Sequence, residues 1–114
     1  MYPEFDISQH GEDDWTVVEI RGEADVFTVP RIRQHVLEHI EQGRLRFIVD
    51  LRRVTFMDST GLGVLIGILK RIRTRDGELR LVINTREIHK IFQLTGLHRV
   101  FPIYPSLDDA VTPP

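Results

Sequence analysis

From Thr28 onward, segments of helical period and segments of strand-forming residues alternate along the chain, and that alternation restricts it to a sheet layered with helices. Thr28 stands before Pro30, a cap residue and a first-turn proline, and Val29, Ile32, Val36 and Ile40 follow at helical spacing until Gly43 stops the run. Phe47, Ile48 and Val49 centre a buried strand over Arg46 to Leu51. Helical period returns from Ser59 to Arg75, Asp76-Gly77 turns the chain, and Leu79 to Asn84 is the next strand. A third helix from Thr85 or Arg86 to Thr95 closes at Gly96, a short strand follows around Val100 to Ile103, and Ser106 caps a last helical turn through Ala110. Ahead of these, β-prone Trp15 to Arg21 pairs with a short strand near Phe5 and Ile7 across the polar turn Gln9 to Asp14. The expected fold is α/β: a mixed sheet of about four to five strands with an N-terminal hairpin, and about four helices packed on it.

A chain of 114 residues, 41% apolar, fits one core, so the expectation is a single domain over 1–114 with loose ends at 1–3 and 112–114. Fifteen basic against seventeen acidic residues leave a net charge of −2, and the arginines are scattered from Arg21 to Arg99, which argues against a nucleic-acid surface. No apolar stretch approaches the roughly 18 residues of a membrane span. Met1 to Glu4 lacks the basic and apolar regions of a signal peptide, so the expected location is the cytoplasm. With no cysteine, neither a disulfide nor a thiolate metal site is open to this chain.

The most informative stretch runs from Val54 to Leu65, where an apolar strand and loop lead into the polar helix start Asp58-Ser59-Thr60-Gly61. Either Asp58 or Ser59 serves as N-cap, and the free N–H groups and dipole of a helix start tolerate an anion. A phosphate on Ser59 would then be compatible with the fold while repelling or obstructing anything docked beside Asp58. On a helical wheel Leu62, Leu65, Ile66, Leu69 and Ile72 form the buried stripe, which leaves Thr60, Gly63, Val64, Gly67, Ile68 and Arg71 as a partly apolar outer face for a partner. The competing reading is that a second layer of the same domain, or a homodimer contact, covers Val64 and Ile68.

Phe56-Met57-Asp58-Ser59-Thr60-Gly61-Leu62-Gly63-Val64-Leu65 resembles the phosphorylation-site motif of STAS-domain anti-sigma factor antagonists. Gly22-Glu23-Ala24-Asp25 is similar to the Gly-Glu-Leu-Asp turn after the second strand of that family, and Phe92-Gln93-Leu94-Thr95-Gly96-Leu97 with Val100-Phe101 resembles its third-helix ending. Ala24 departs from the pattern, which often has a larger apolar residue there. The resemblance covers nearly the whole chain. It implies a bacterial, non-enzymatic switch: unphosphorylated, the protein binds an anti-sigma factor that is also a serine kinase; phosphorylated at Ser59, it lets go; a metal-dependent serine phosphatase restores it. It also implies that Asp25, Asp58, Thr60 and Gly61 surround the phosphosite. ATP and Mg²⁺ belong to the kinase, and the chain itself is expected to need no cofactor and to be a monomer or weak dimer. The rival within the fold is an accessory subunit of a transporter, or a signalling scaffold, without phosphoregulation.

Two further patterns are set aside. His35-Val36-Leu37-Glu38-His39 fits His-x-x-Glu-His, but a third acidic ligand on a second long helix is missing, so zinc hydrolysis is not expected. Gly61-x-Gly63-x-x-x-Gly67 resembles a dinucleotide-binding turn, and the gap from Leu51 to Gly61 is read as too long for it.

Overall fold

The computed structural model describes residues 4–112; the expectations for 1–3 and for 113–114 lie outside these residues. Strand β1 (Asp6–Glu12) and β2 (Trp15–Ala24) form the hairpin, followed by α1 (Val29–Glu41), β3 (Arg46–Met57), α2 (Ser59–Arg73), β4 (Glu78–Val82) and α3 (Arg86–Leu94). A 3₁₀ turn (Leu97–Arg99), β5 (Ile103–Tyr104) and α4 (Leu107–Val111) complete the described chain. The five strands lie in sequence order, β1 antiparallel to β2 and the remaining pairs parallel. Parallel neighbours in sequence order, each joined by a helix of the same crossover hand, put the connecting helices on one face. That face carries the main core: Val18, Ile20, Phe47, Val49 and Leu81 of the sheet meet Ile32 and Val36 of α1, Leu65 and Ile72 of α2, and Phe92 of α3.

Several boundaries differ from the sequence expectations. The hairpin turn is only Asp13-Asp14, with Asp13 at φ +53 in the left-handed region that aspartate tolerates, so Gln9 to Glu12 belong to β1. Gly22, Glu23 and Ala24 are not a turn but the end of β2, and between Gly22 and Glu23 the register against β3 shifts by one extra residue on β3. β3 runs six residues past Leu51, to Met57, because its far half pairs with that end of β2. The segment after Gly96 winds as a 3₁₀ turn, and the strand begins only at Ile103.

The opposite face is left to α4, which covers a smaller apolar cluster of Trp15, Val17, Ile48, Val82 and Ala110. Its clasp is Arg80, 3% exposed, whose guanidinium lies 4.5 Å over the Trp15 ring and donates to the Ala110 and Thr112 carbonyls at 2.7 and 2.8 Å. These carbonyls end α4, where a helix favours a cation. Thr112, expected to be loose, is held by this hydrogen bond. Arg80→Ala is therefore expected to lower stability by about 3 kcal/mol, because it removes the charged hydrogen bonds and the cation–π interaction in one step. Urea unfolding followed by the fluorescence of Trp15, the sole tryptophan, measures it; an unchanged midpoint would mean that α4 docks without its clasp.

Candidate functional site

The C-terminal ends of β2 and β3 lie side by side, with the Asp58 N–H donating to the Ala24 carbonyl at 3.3 Å. Asp58 is extended (φ −104, ψ −172) and is the N-cap of α2. Its Oδ1 accepts from the backbone N–H of Thr60 at 2.9 Å and of Gly61 at 3.1 Å, and from the Thr60 hydroxyl. The Thr60 hydroxyl foremost, then the two N–H groups, holds the Asp58 carboxyl below the usual carboxylate range, so it is charged at neutral pH. Of the two candidate caps, Asp58 thus takes the position, and Ser59 becomes the first helical residue, exposed and free of capping duty.

Gly61 sets how closely α2 approaches β2. A Cβ there would stand 2.7 Å from the Ala24 oxygen and 3.0 Å from Met57 Cγ, closer than those neighbours allow. With Ala24 itself 1% exposed, the first turn of α2 sits directly on the end of β2 and brings the following loop to the same end of the molecule as Ser59. In that loop Asp25 Oδ1 accepts from the N–H groups of Phe27 and Thr28 at 2.9 and 3.1 Å. Asp25 therefore lies in the loop that leaves this end of β2, with one carboxylate oxygen committed to its own turn.

The outer face of α2 divides. Thr60, Gly63, Gly67 and Arg71 are exposed, and nothing lies within 4 Å of a Cβ built on Gly63 or Gly67. Val64 and Ile68, expected on that face, are only 5% and 2% exposed. The second layer of the same domain covers them: α1 lies beside α2, and Arg33 and Leu37 wall a shallow groove with Gly63, Gly67 and Arg71. A helix buried on two sides needs a wider apolar stripe than the sheet alone demands, and Ile66, placed in the stripe from the wheel, is partly exposed instead. The groups missed from sequence are Val26, Phe27 and Phe56, exposed by 59%, 86% and 48% around the ends of β2 and β3. The available signal was an apolar pair, Val26-Phe27, between the turn residues Asp25 and Thr28, where no periodic stripe accounts for it.

His35 and His39 stack with ring centroids 5.0 Å apart, and His39 Nδ1–H donates to the His35 carbonyl at 2.8 Å. Burial first, and then the His39 charge, lowers the His35 pKa, which favours a neutral ring. Among the described residues no group of three or more His, Cys, Asp or Glu is placed to hold a metal, and no helix is long and apolar enough to cross a membrane. The premise used against a dinucleotide turn does need correction: β3 reaches Met57, so only Asp58, Ser59 and Thr60 separate strand from Gly61.

The STAS domain model matches residues 5–110. The anti-sigma-B factor antagonist of Staphylococcus aureus is 36% identical over 86 residues, 75% of this chain and 80% of that protein. An anti-sigma factor antagonist from Mycobacterium paratuberculosis superposes with a TM-score of 0.87 at 29% identity, over 95% of this chain and 92% of that one. The Bacillus cell fate determinant SpoIIAA in its phosphorylated form superposes with a TM-score of 0.72 at 26% identity, over 95% of this chain and 96% of that one.

Proposed function

The chain belongs to the STAS-domain family, and from that premise we propose that it is a partner-switching anti-sigma factor antagonist controlled at Ser59. Unphosphorylated, it binds an anti-sigma factor that is also a serine kinase and so frees a sigma factor. Phosphorylation of Ser59 ends that binding, and a metal-dependent serine phosphatase returns the binding form. The chain is substrate and ligand in this cycle, works in the cytoplasm as a monomer or weak dimer, and touches no nucleic acid itself.

The observation that carries the reading is the division of labour at the α2 N-terminus: Asp58 caps, and Ser59 presents an exposed hydroxyl that the fold does not use. A phosphate there lies at the positive end of the helix dipole, so the domain accepts it even though Asp58 already holds the Thr60 and Gly61 N–H groups. It also adds about −1.5 to −2 charges beside the ionised Asp58, on a surface a partner must cover. The likeness to a protein solved in a phosphorylated form supports control by phosphorylation.

The test is a release assay. Purified chain is titrated into preformed complexes of sigma factor with each anti-sigma factor kinase of its organism, and free sigma factor is followed by size-exclusion chromatography. Release from one complex at near-stoichiometric chain is expected. Retention of sigma in every complex at large excess would contradict antagonism.

A further inference from the structure

We propose that the loop from Asp25 to Thr28 is a preformed docking tip: Phe27, with Val26 beside it, inserts into an apolar cleft of the anti-sigma factor, and Asp25 is the positioning residue that holds it there. The proposal rests on the partner-switching reading and adds to it an anchor outside α2.

Phe27 is the most exposed of the large apolar side chains described, and Val26 next to it is more than half exposed. An aromatic side chain left in water on a floppy loop has no structural use; this loop is not floppy. Asp25 Oδ1 accepts from Phe27 and Thr28 N–H, the Asp25 N–H donates to Thr28 Oγ1 at 3.0 Å, and Thr28 Oγ1 donates to the Glu23 carbonyl at 2.6 Å. The Asp25 carbonyl then accepts from Thr28 and Val29 at 3.1 and 2.9 Å, joining the turn to the start of α1. Thr28, predicted as a side-chain cap, makes no cap bond to α1 because its hydroxyl is part of this turn. The backbone behind Phe27 is thus ordered before any partner arrives, which removes much of the entropic cost of binding.

The occupant follows from position. A kinase acting on Ser59 must bring its phosphoryl-transfer site to the end of the sheet where β2 and β3 finish, and the tip springs from that end of β2. Phe56 flanks the same region from β3, paired with Glu23. Three side chains are far less than the roughly 800 Å² per partner of a stable interface, so they serve as an anchor inside a larger contact rather than as a homodimer surface.

A mutant cycle on the full chain tests this, with affinity for the anti-sigma factor read by calorimetry and folding by thermal melts. Phe27→Ala is expected to weaken binding at least about tenfold with an unchanged melt. Asp25→Ala should weaken it by a similar factor, and the double variant should be no weaker than Phe27→Ala alone, because both changes remove the same anchor. Asp25→Asn should bind within about threefold of the parent, since its amide oxygen accepts the same two N–H groups. Parent-like binding by Phe27→Ala overturns the tip. Multiplying losses in the double variant, or Asp25→Asn as weak as Asp25→Ala, overturn the positioning role and point to the carboxylate charge. A chain that dimerises through Phe27 in sedimentation overturns the choice of occupant. If the parent binds no anti-sigma factor, the underlying reading fails with it, whereas a binding parent with a silent Phe27→Ala leaves that reading standing.

Discussion

Ile68→Asp unfolds the domain rather than merely disturbing a surface. Ile68 is 2% exposed, between the sheet beneath α2 and the flank of α1, in one cluster with Leu37, Val64 and Leu65. A carboxylate placed there can be met only across the groove, by Arg33 or Arg71 on its walls, and a poorly paired buried charge costs several kcal/mol on top of the forfeited apolar packing. A loss of about 4 kcal/mol or more is expected, a large share of the roughly 5–15 kcal/mol that a small domain has. At roughly 4–8 °C per kcal/mol, the melt should fall by 20 °C or disappear. Ile68→Val, which removes one methyl group, is the control and should cost about 1 kcal/mol. Circular dichroism melts decide it: an Ile68→Asp protein melting within a few degrees of the parent would mean that α1 does not cover Ile68 in solution, and would restore that residue to the docking face.

Ser59→Asp has the opposite signature, with binding abolished and folding kept. The side chain leaves an exposed first-turn position that carries no cap bond, and an acidic residue in the first turn interacts favourably with the helix dipole. The melt should therefore stay within a few degrees of the parent. Toward the partner the effect is large, because the new charge adjoins the ionised Asp58 and must be desolvated when the end of the sheet is covered. Affinity for the anti-sigma factor should drop at least about a hundredfold, equivalent to roughly 2.7 kcal/mol. Ser59→Ala should bind within about tenfold of the parent, since Asp58 keeps the cap. Equal binding by Ser59→Asp and Ser59→Ala would place the switch elsewhere.

These two residues also show where a sequence stops being legible. Alternating periods gave the layers, because one-sided burial imprints a period of 3.6 or 2 on any chain. The same logic failed on α2, where Val64 and Ile68 face a neighbouring helix. A wheel shows which residues share a side of a helix, and only the tertiary arrangement shows how many sides are covered. Asp58 and Ser59 were equivalent as caps by residue type, and the extended backbone of Asp58 separates them. The length of β3 depended on pairing with the far end of β2, an interaction between distant parts of the chain. Val26 and Phe27 were missed for a different reason, their one signal being that no stripe accounts for them. Periodicity finds residues that serve the core, whereas an apolar residue held out of the core has no pattern to belong to.

Intact mass after incubation with the anti-sigma factor kinase and ATP, followed by peptide mapping, is the most direct measurement of the central claim. One added phosphate, mapped to Ser59 and absent from a folded Ser59→Ala protein, is the result expected. A phosphate that maps to Thr60 or Ser106, or an unchanged rate of phosphorylation in Ser59→Ala, would contradict it.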